Sequence, residues 1–148
     1  MIKRLTTLLF LLIFSILNIS QAQADSAAVD PELRMLLMDA VNSADSFDDR
    51  FHAEVWLLDM SNRLQRIIRE DETRQSMLKQ IHQEATRAEL QPELVLAVIE
   101  VESRFDSHAI SSAGAQGIMQ VMPFWLHEIG RPDDNLIMLK TNLRMGCT

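Results

Sequence analysis

Residues 92–105 carry Leu94, Val95, Leu96, Val98, Ile99, Val101 and Phe105, so the segment is apolar on nearly every face. Pro92 suits the first turn of a helix. A helix that is apolar nearly all round has to be covered by other elements. The segment is therefore expected at the centre of its fold. The covering elements also read as helices. Asp30-Pro31-Glu32 opens one, with Asp30 as cap, and Leu33, Leu36, Leu37 and Val41 follow at helical spacing. A long helix is expected over 47–68, with Phe47, Phe51, Val55 and Leu58 as its apolar stripe and Trp56 beside it. Another is expected over 73–90, with Met77, Leu78, Ile81, Ala85 and Ala88 facing inward. A loop is expected over 106–115. A short helix should follow over 116–122, continuing past Pro123 to residue 129. No strand-like alternation and no internal repeat occurs, so the fold class is all-α.

The start of the chain belongs to a different kind of segment. Lys3 and Arg4 precede an apolar run over 5–19, which gives way to Ala22-x-Ala24. A charged start, an apolar middle and a small-residue exit describe a secretory signal peptide over residues 1–24, cut after Ala24. The unbroken apolar stretch over 8–14 is too short for a membrane span, which needs about 20 apolar residues. No stable membrane span is expected after cleavage. The formal net charge is −7, and losing Lys3 and Arg4 makes it more negative. That argues against nucleic acid as a partner, because such binding rests on Lys and Arg. Cys147 is the single cysteine, so no internal disulfide can form. His52, His82, His108 and His127 lack ligand spacing, and no metal site is expected. Trp56 and Trp125 read as core anchors, although Trp125 could also offer its ring as a stacking face for a ligand.

On a wheel at about 100° per residue centred on Val98, Leu94, Val95, Val101 and Phe105 fall within about 60° of the centre. Glu102 falls at about 40° and Glu100 at about 200°. Of the two carboxylates, only Glu102 points where the apolar stripe points. If that stripe is buried, desolvation raises the pKa of Glu102, and the negative end of the helix dipole adds to the effect. A glutamate that keeps its proton near neutral pH can act as a general acid. The alternative is a buried glutamate paired with Arg104 or Arg87. Ser103 follows Glu102 and could orient it through its hydroxyl. Gly114 and Gly117 allow close backbone approach. Gln116 and Gln120 offer amides suited to sugar hydroxyls and N-acetyl groups, and Met119 offers a soft apolar contact for a sugar face.

Glu102-Ser103-Arg104-Phe105, Ala109-Ile110-Ser111, the run from Gly114 through Gln116-Gly117-Ile118-Met119-Gln120 to Pro123, and Asn142-x-x-x-Gly146 resemble the soluble lytic transglycosylase family. The resemblance covers about residues 77–148. It implies a lysozyme-like catalytic domain, placed here at 73–148, after an N-terminal helical region at 25–72. It implies a periplasmic enzyme whose partner is the glycan strand of peptidoglycan, cut between N-acetylmuramic acid and N-acetylglucosamine. Glu102 would be the catalytic acid and then base. Ser103 would support it, and Gln116, Met119 and Gln120 would line the cleft.

Most glycosidases use two carboxylates. Here no acidic residue occurs over 107–126, and Asp106 stands only at the loop entrance. One carboxylate suffices if the substrate supplies the second group. The 2-acetamido group would stabilise the developing cation, and the muramoyl C6 hydroxyl would attack C1 to close a 1,6-anhydro ring. A well-placed intramolecular hydroxyl reaches an effective molarity of roughly 10⁵ M or more, against about 55 M for water. No metal or cofactor is required by this chemistry. Family members continue past the Asn-x-x-x-Gly motif to an Ala-x-Tyr-Asn segment, whereas this chain has no tyrosine and reaches Thr148 first. The domain is therefore expected to be C-terminally truncated. A catalytically impaired glycan-binding or interaction fragment and a lysozyme-type hydrolase stand as the alternative readings.

Overall fold

The computed structural model describes residues 31–42, 46–47 and 49–148. The expected signal peptide at 1–24 lies outside the described residues. Six helices follow one another: α1 (Pro31–Asn42), α2 (Arg50–Leu64), α3 (Asp71–Arg87), α4 (Pro92–Glu102), α5 (Trp125–Ile129) and α6 (Leu139–Gly146). No strand occurs among the described residues. Two isolated antiparallel bridges, Ile110 with Gln116 and Gln116 with Val121, are the only extended pairings there. None of the described helices is long and apolar enough to cross a membrane.

Local chemistry sets the helix starts. The Asp49 carboxylate accepts the His52 N–H at 2.9 Å and begins α2. Glu70 accepts the Thr73 N–H at 2.8 Å and begins α3. Each such cap contributes about 1 kcal/mol. Pro92 begins α4 without a side-chain cap. The tetrad Arg69 to Glu72, which reads as a charged break, is thus split between a cap and the first turn of α3.

The hub of the fold is α3, which packs against α2, α4 and α6. This corrects the expectation that residues 92–105 form the central helix. Leu78, Ile81 and Ala85 of α3 are completely buried. A Leu or Ile taken fully out of water contributes roughly 1.5–3 kcal/mol. By contrast α4 buries Val95, Leu96 and Ile99, while Leu94, Val98 and Val101 are exposed. The buried face is turned by about 100° from the one centred on Val98. The cause is the composition of the helix itself: apolar side chains nearly all round give the wheel no unique centre, and contact with α3 selects one face. The same ambiguity affects α2. Its expected stripe through Phe51 and Val55 is exposed, and Ala53, Leu57, Met60 and Leu64 are buried instead.

The N-terminal helices pack onto the remainder. Leu37 and Val41 of α1 share one apolar cluster with Leu57, Leu78, Ile99, Ile118 and Leu143. Trp56 Nε1 donates to Glu93 at 2.7 Å and ties α2 to α4. Arg74, only 3 % exposed, closes the turn between α2 and α3. Its guanidinium donates to Ser61 Oγ at 2.8 Å, to the Ile68 carbonyl at 2.7 Å, and to Asp71.

Candidate active site

Glu102 is the last residue of α4. The helix ends abruptly there, because Arg104 and Phe105 adopt φ of 52° and 67°, both in the left-handed region. Each such residue costs roughly 1–2 kcal/mol. The turn brings Phe105 back into the core, where it is buried, and burying a Phe offsets much of that cost.

Glu102 itself is exposed, which overturns the expectation of a buried acid in an apolar stripe. It lies on the flank of the α4 face that meets α3, beside the exposed Val98 and Val101. Nor does it pair with an arginine: Arg87 binds Glu84 at 2.6 Å, and the Glu102 side chain makes no ion pair or hydrogen bond among the described residues. The Ser103 hydroxyl donates to the Ile99 carbonyl at 3.3 Å, so its hydrogen serves the helix end and does not reach Glu102. Asp106 Oδ1 accepts the His108 N–H at 2.9 Å and holds the loop that leaves Phe105.

The segment expected as a helix over 116–122 is a closed turn instead. Gln116 and Val121 exchange two backbone hydrogen bonds of 3.0 Å. Gly117 at φ 75° and Gln120 at φ 50° reverse the chain between them, and neither dihedral is compatible with a right-handed helix. Helix resumes only at Trp125. Gln120 is held by its own side chain, whose Nε2 donates to the Ala109 carbonyl at 3.1 Å and the Gly117 carbonyl at 2.9 Å. Both amide hydrogens are thereby used, and Oε1 remains as an acceptor.

Gln116, Met119 and Gln120 thus come together in one turn. Met119 and Gln120 line a cavity of about 420 Å³ together with Met122, Trp125, Ile129 and Met145. Glu102 is not part of that cavity, and no hydrogen bond joins it to the turn. Trp125, with 44 % of its surface exposed, is no core anchor. Its ring lies 4.9 Å from that of Phe124.

Two residues to which the sequence motifs assign no role organise this turn. Asn142 is fully buried in α6. Its Oδ1 accepts the Met119 N–H at 2.7 Å, and its Nδ2 donates to the carbonyls of Gln116 and Leu136, each at 2.7 Å. One helical turn later, Gly146 leaves room for Met119: a Cβ there would stand 2.5 Å from Met119 Sδ and 2.8 Å from its Cβ. The signal for both was the i, i+4 spacing, which puts an amide and a gap on one helix face. Among the described residues, no cluster of three or more His, Cys, Asp or Glu could hold a metal ion.

The model of the Transglycosylase SLT domain family matches residues 79–148. Those residues are a transglycosylase SLT domain. Its fold is the all-α, lysozyme-like one, and the SLT family has lytic-transglycosylase-type activity on peptidoglycan, which places its action outside the cytoplasm. The match begins inside α3 and takes in α4, the turn at 116–121 and α6. No curated protein and no solved structure matches the chain.

Proposed function

We propose that the chain cleaves the glycan of peptidoglycan between N-acetylmuramic acid and N-acetylglucosamine, with Glu102 as general acid and then base. The observation that carries this reading is the open carboxylate of Glu102 on the last residue of α4 within a matched SLT domain, with no acid over 107–126. Glu102 donates its proton to the bridging oxygen as the C1–O bond breaks, and the N-acetylglucosamine side leaves with a hydroxyl. The neighbouring acetamido oxygen stabilises the cation at C1. The muramoyl C6 hydroxyl then attacks C1 and returns its proton to Glu102. No water is consumed, and the product ends in a 1,6-anhydro ring.

Glu102 is exposed in the free chain. A glycan laid along Val98 and Val101 would cover the carboxyl and exclude water from it. Gln120 Oε1 is suited to accept from an acetamido N–H, Met119 to lie under a sugar face, and Gln116 to bond a hydroxyl. Ser103 acts by finishing α4. We assign residues 73–148 to the catalytic domain, the helices before it to a packed support, and the chain to the periplasm.

The test is digestion of purified sacculi by the wild-type chain and by Glu102→Gln. Soluble muropeptides should be released by the first and not by the second. The exposure of Glu102 favours one other reading, a glycan-binding module without turnover. Co-sedimentation of the wild type with sacculi, without any product, would establish that one.

A further inference from the structure

We propose that Asn142 is the positioning residue of the glycan-binding turn, fixing the backbone at Gln116 and Met119 from the face of α6. The proposal rests on the reading of Gln116, Met119 and Gln120 as glycan contacts.

The hydrogen-bonding pattern is specific to asparagine. A primary amide offers two donors and an acceptor in one plane. Here all three are matched to backbone groups: Met119 N–H, Gln116 C=O and Leu136 C=O. An aspartate has the shape but no donor. A serine has one hydrogen to give, and a glutamine is one methylene too long. The Asn142 side chain is completely buried, so it has no water to bond in place of these partners. Gly117 completes the fit, because a Cβ at that position would stand 2.7 Å from Asn142 Cγ.

Two of the three bonds end within the turn itself. The Gln116 carbonyl already accepts the Val121 N–H that closes the turn, and Asn142 gives it a second bond. The Met119 N–H has no turn partner and takes Asn142 instead. Gln120 comes next in the chain and sits at φ 50°, with its side chain folded over the Gly117 carbonyl. The path of the three residues assigned to the glycan is therefore set by a side chain 22 or more residues away in sequence. Gly146, on the same helix face, leaves the space that the Met119 side chain fills. Asn142 touches no sugar, and its effect is transmitted through the turn.

The test compares wild type, Asn142→Asp and Asn142→Ala as full chains, acting on purified sacculi at a temperature where circular dichroism shows each to be folded. Misplacing a contact by about 1 Å can cost on the order of a hundredfold. We expect KM to rise about tenfold or more in Asn142→Asp, with kcat per folded molecule changed much less. Hydrogen exchange at the Met119 amide should speed up in the same variant. A folded Asn142→Asp with wild-type KM and a protected Met119 amide would overturn the proposal. So would a lowered melting temperature with KM and kcat per folded molecule unchanged, which is the mark of a purely structural residue. If neither Asn142 variant folds, Gly117→Ala pushes on the same contact from the turn side. It should show the same rise in KM, and a wild-type KM in that variant would overturn the proposal. Absence of product from the wild-type chain would instead defeat the catalytic reading. The hold on the turn is then decided by Met119 exchange and by the affinity of each variant for sacculi.

Discussion

Met119 and Gly146 meet where the glycan-binding turn crosses the end of α6, so closely that a single added methyl on Gly146 would stand 2.8 Å from Met119 Cβ. The Met119 sulfur can swing aside, but its Cβ is fixed by a backbone that Asn142 holds. Gly146→Ala should therefore destabilise the fold by about 1–2 kcal/mol, overpacking outweighing the better helix propensity of alanine. Combined with Met119→Ala, which relieves the clash at Sδ, the double variant should lose less than the two singles added. Thermal melts of the four proteins check this, with a coupling of about 0.5 kcal/mol or more expected.

Gln75 is buried in α3, and neither atom of its amide has a hydrogen-bond partner. An unsatisfied buried amide costs roughly 1–3 kcal/mol. Gln75→Met keeps the length and removes both polar atoms. It should raise stability by about 1 kcal/mol, seen as a higher midpoint in urea. A lower midpoint would mean that Gln75 has a partner after all.

Arg74 joins Ser61, the Ile68 carbonyl and Asp71 through one planar group. Arg74→Ala takes this donor from all three and should cost about 2–4 kcal/mol. Arg74→Lys should recover less than half, because an ammonium cannot match the guanidinium fork. Chemical denaturation of the two variants gives both numbers.

The pH dependence has two limbs. Burial, reinforced by the charge of Glu84, pushes the Cys147 thiol from its ordinary 9.0 up to about 11. A folded-state pKa above the unfolded one gives a contribution that is complete below pH 9 and lost as pH rises from 9 toward 11. The thiol should also resist alkylation at pH 8 in the folded chain and react on unfolding. On the acid side, the Arg131 backbone N–H and then the Arg144 guanidinium hold the Asp134 carboxyl below its ordinary 3.8. That contribution is present above pH 3.8 and lost as pH falls through the folded value. Melting temperatures across pH should fall at both ends.

How far the fold and the site were legible in the sequence depends on the kind of signal. Helices close to 31–42, 71–87 and 92–102 could be read from helical spacing and from Pro31 and Pro92 at two of the starts, because those are local properties, whereas the Glu70 cap of α3 was hidden in a charged run that reads as a break. The buried face of α4 could not, since Val95 and Val98 are equally apolar and only contact with α3 chooses between them. The motif residues 116–122 carry Gly117 and Gln120 at positive φ. Ile118-Met119-Gln120-Val121-Met122 reads as a helix by propensity, but Asn142 and the Val121 bridge supply bonds that a helix would forgo. The choice of Glu102 over Glu100 came from that same wheel. The burial assigned to it did not survive, because the neighbouring Val98 and Val101 face outward.

The central claim is that Glu102 drives intramolecular ring closure. Mass spectrometry of muropeptides released from sacculi tests it most directly, since a 1,6-anhydro end is lighter by one water than a reducing end. Anhydro ends are expected from the wild-type chain and none from Glu102→Gln. Reducing ends from the wild type, or anhydro ends undiminished in Glu102→Gln, would contradict it.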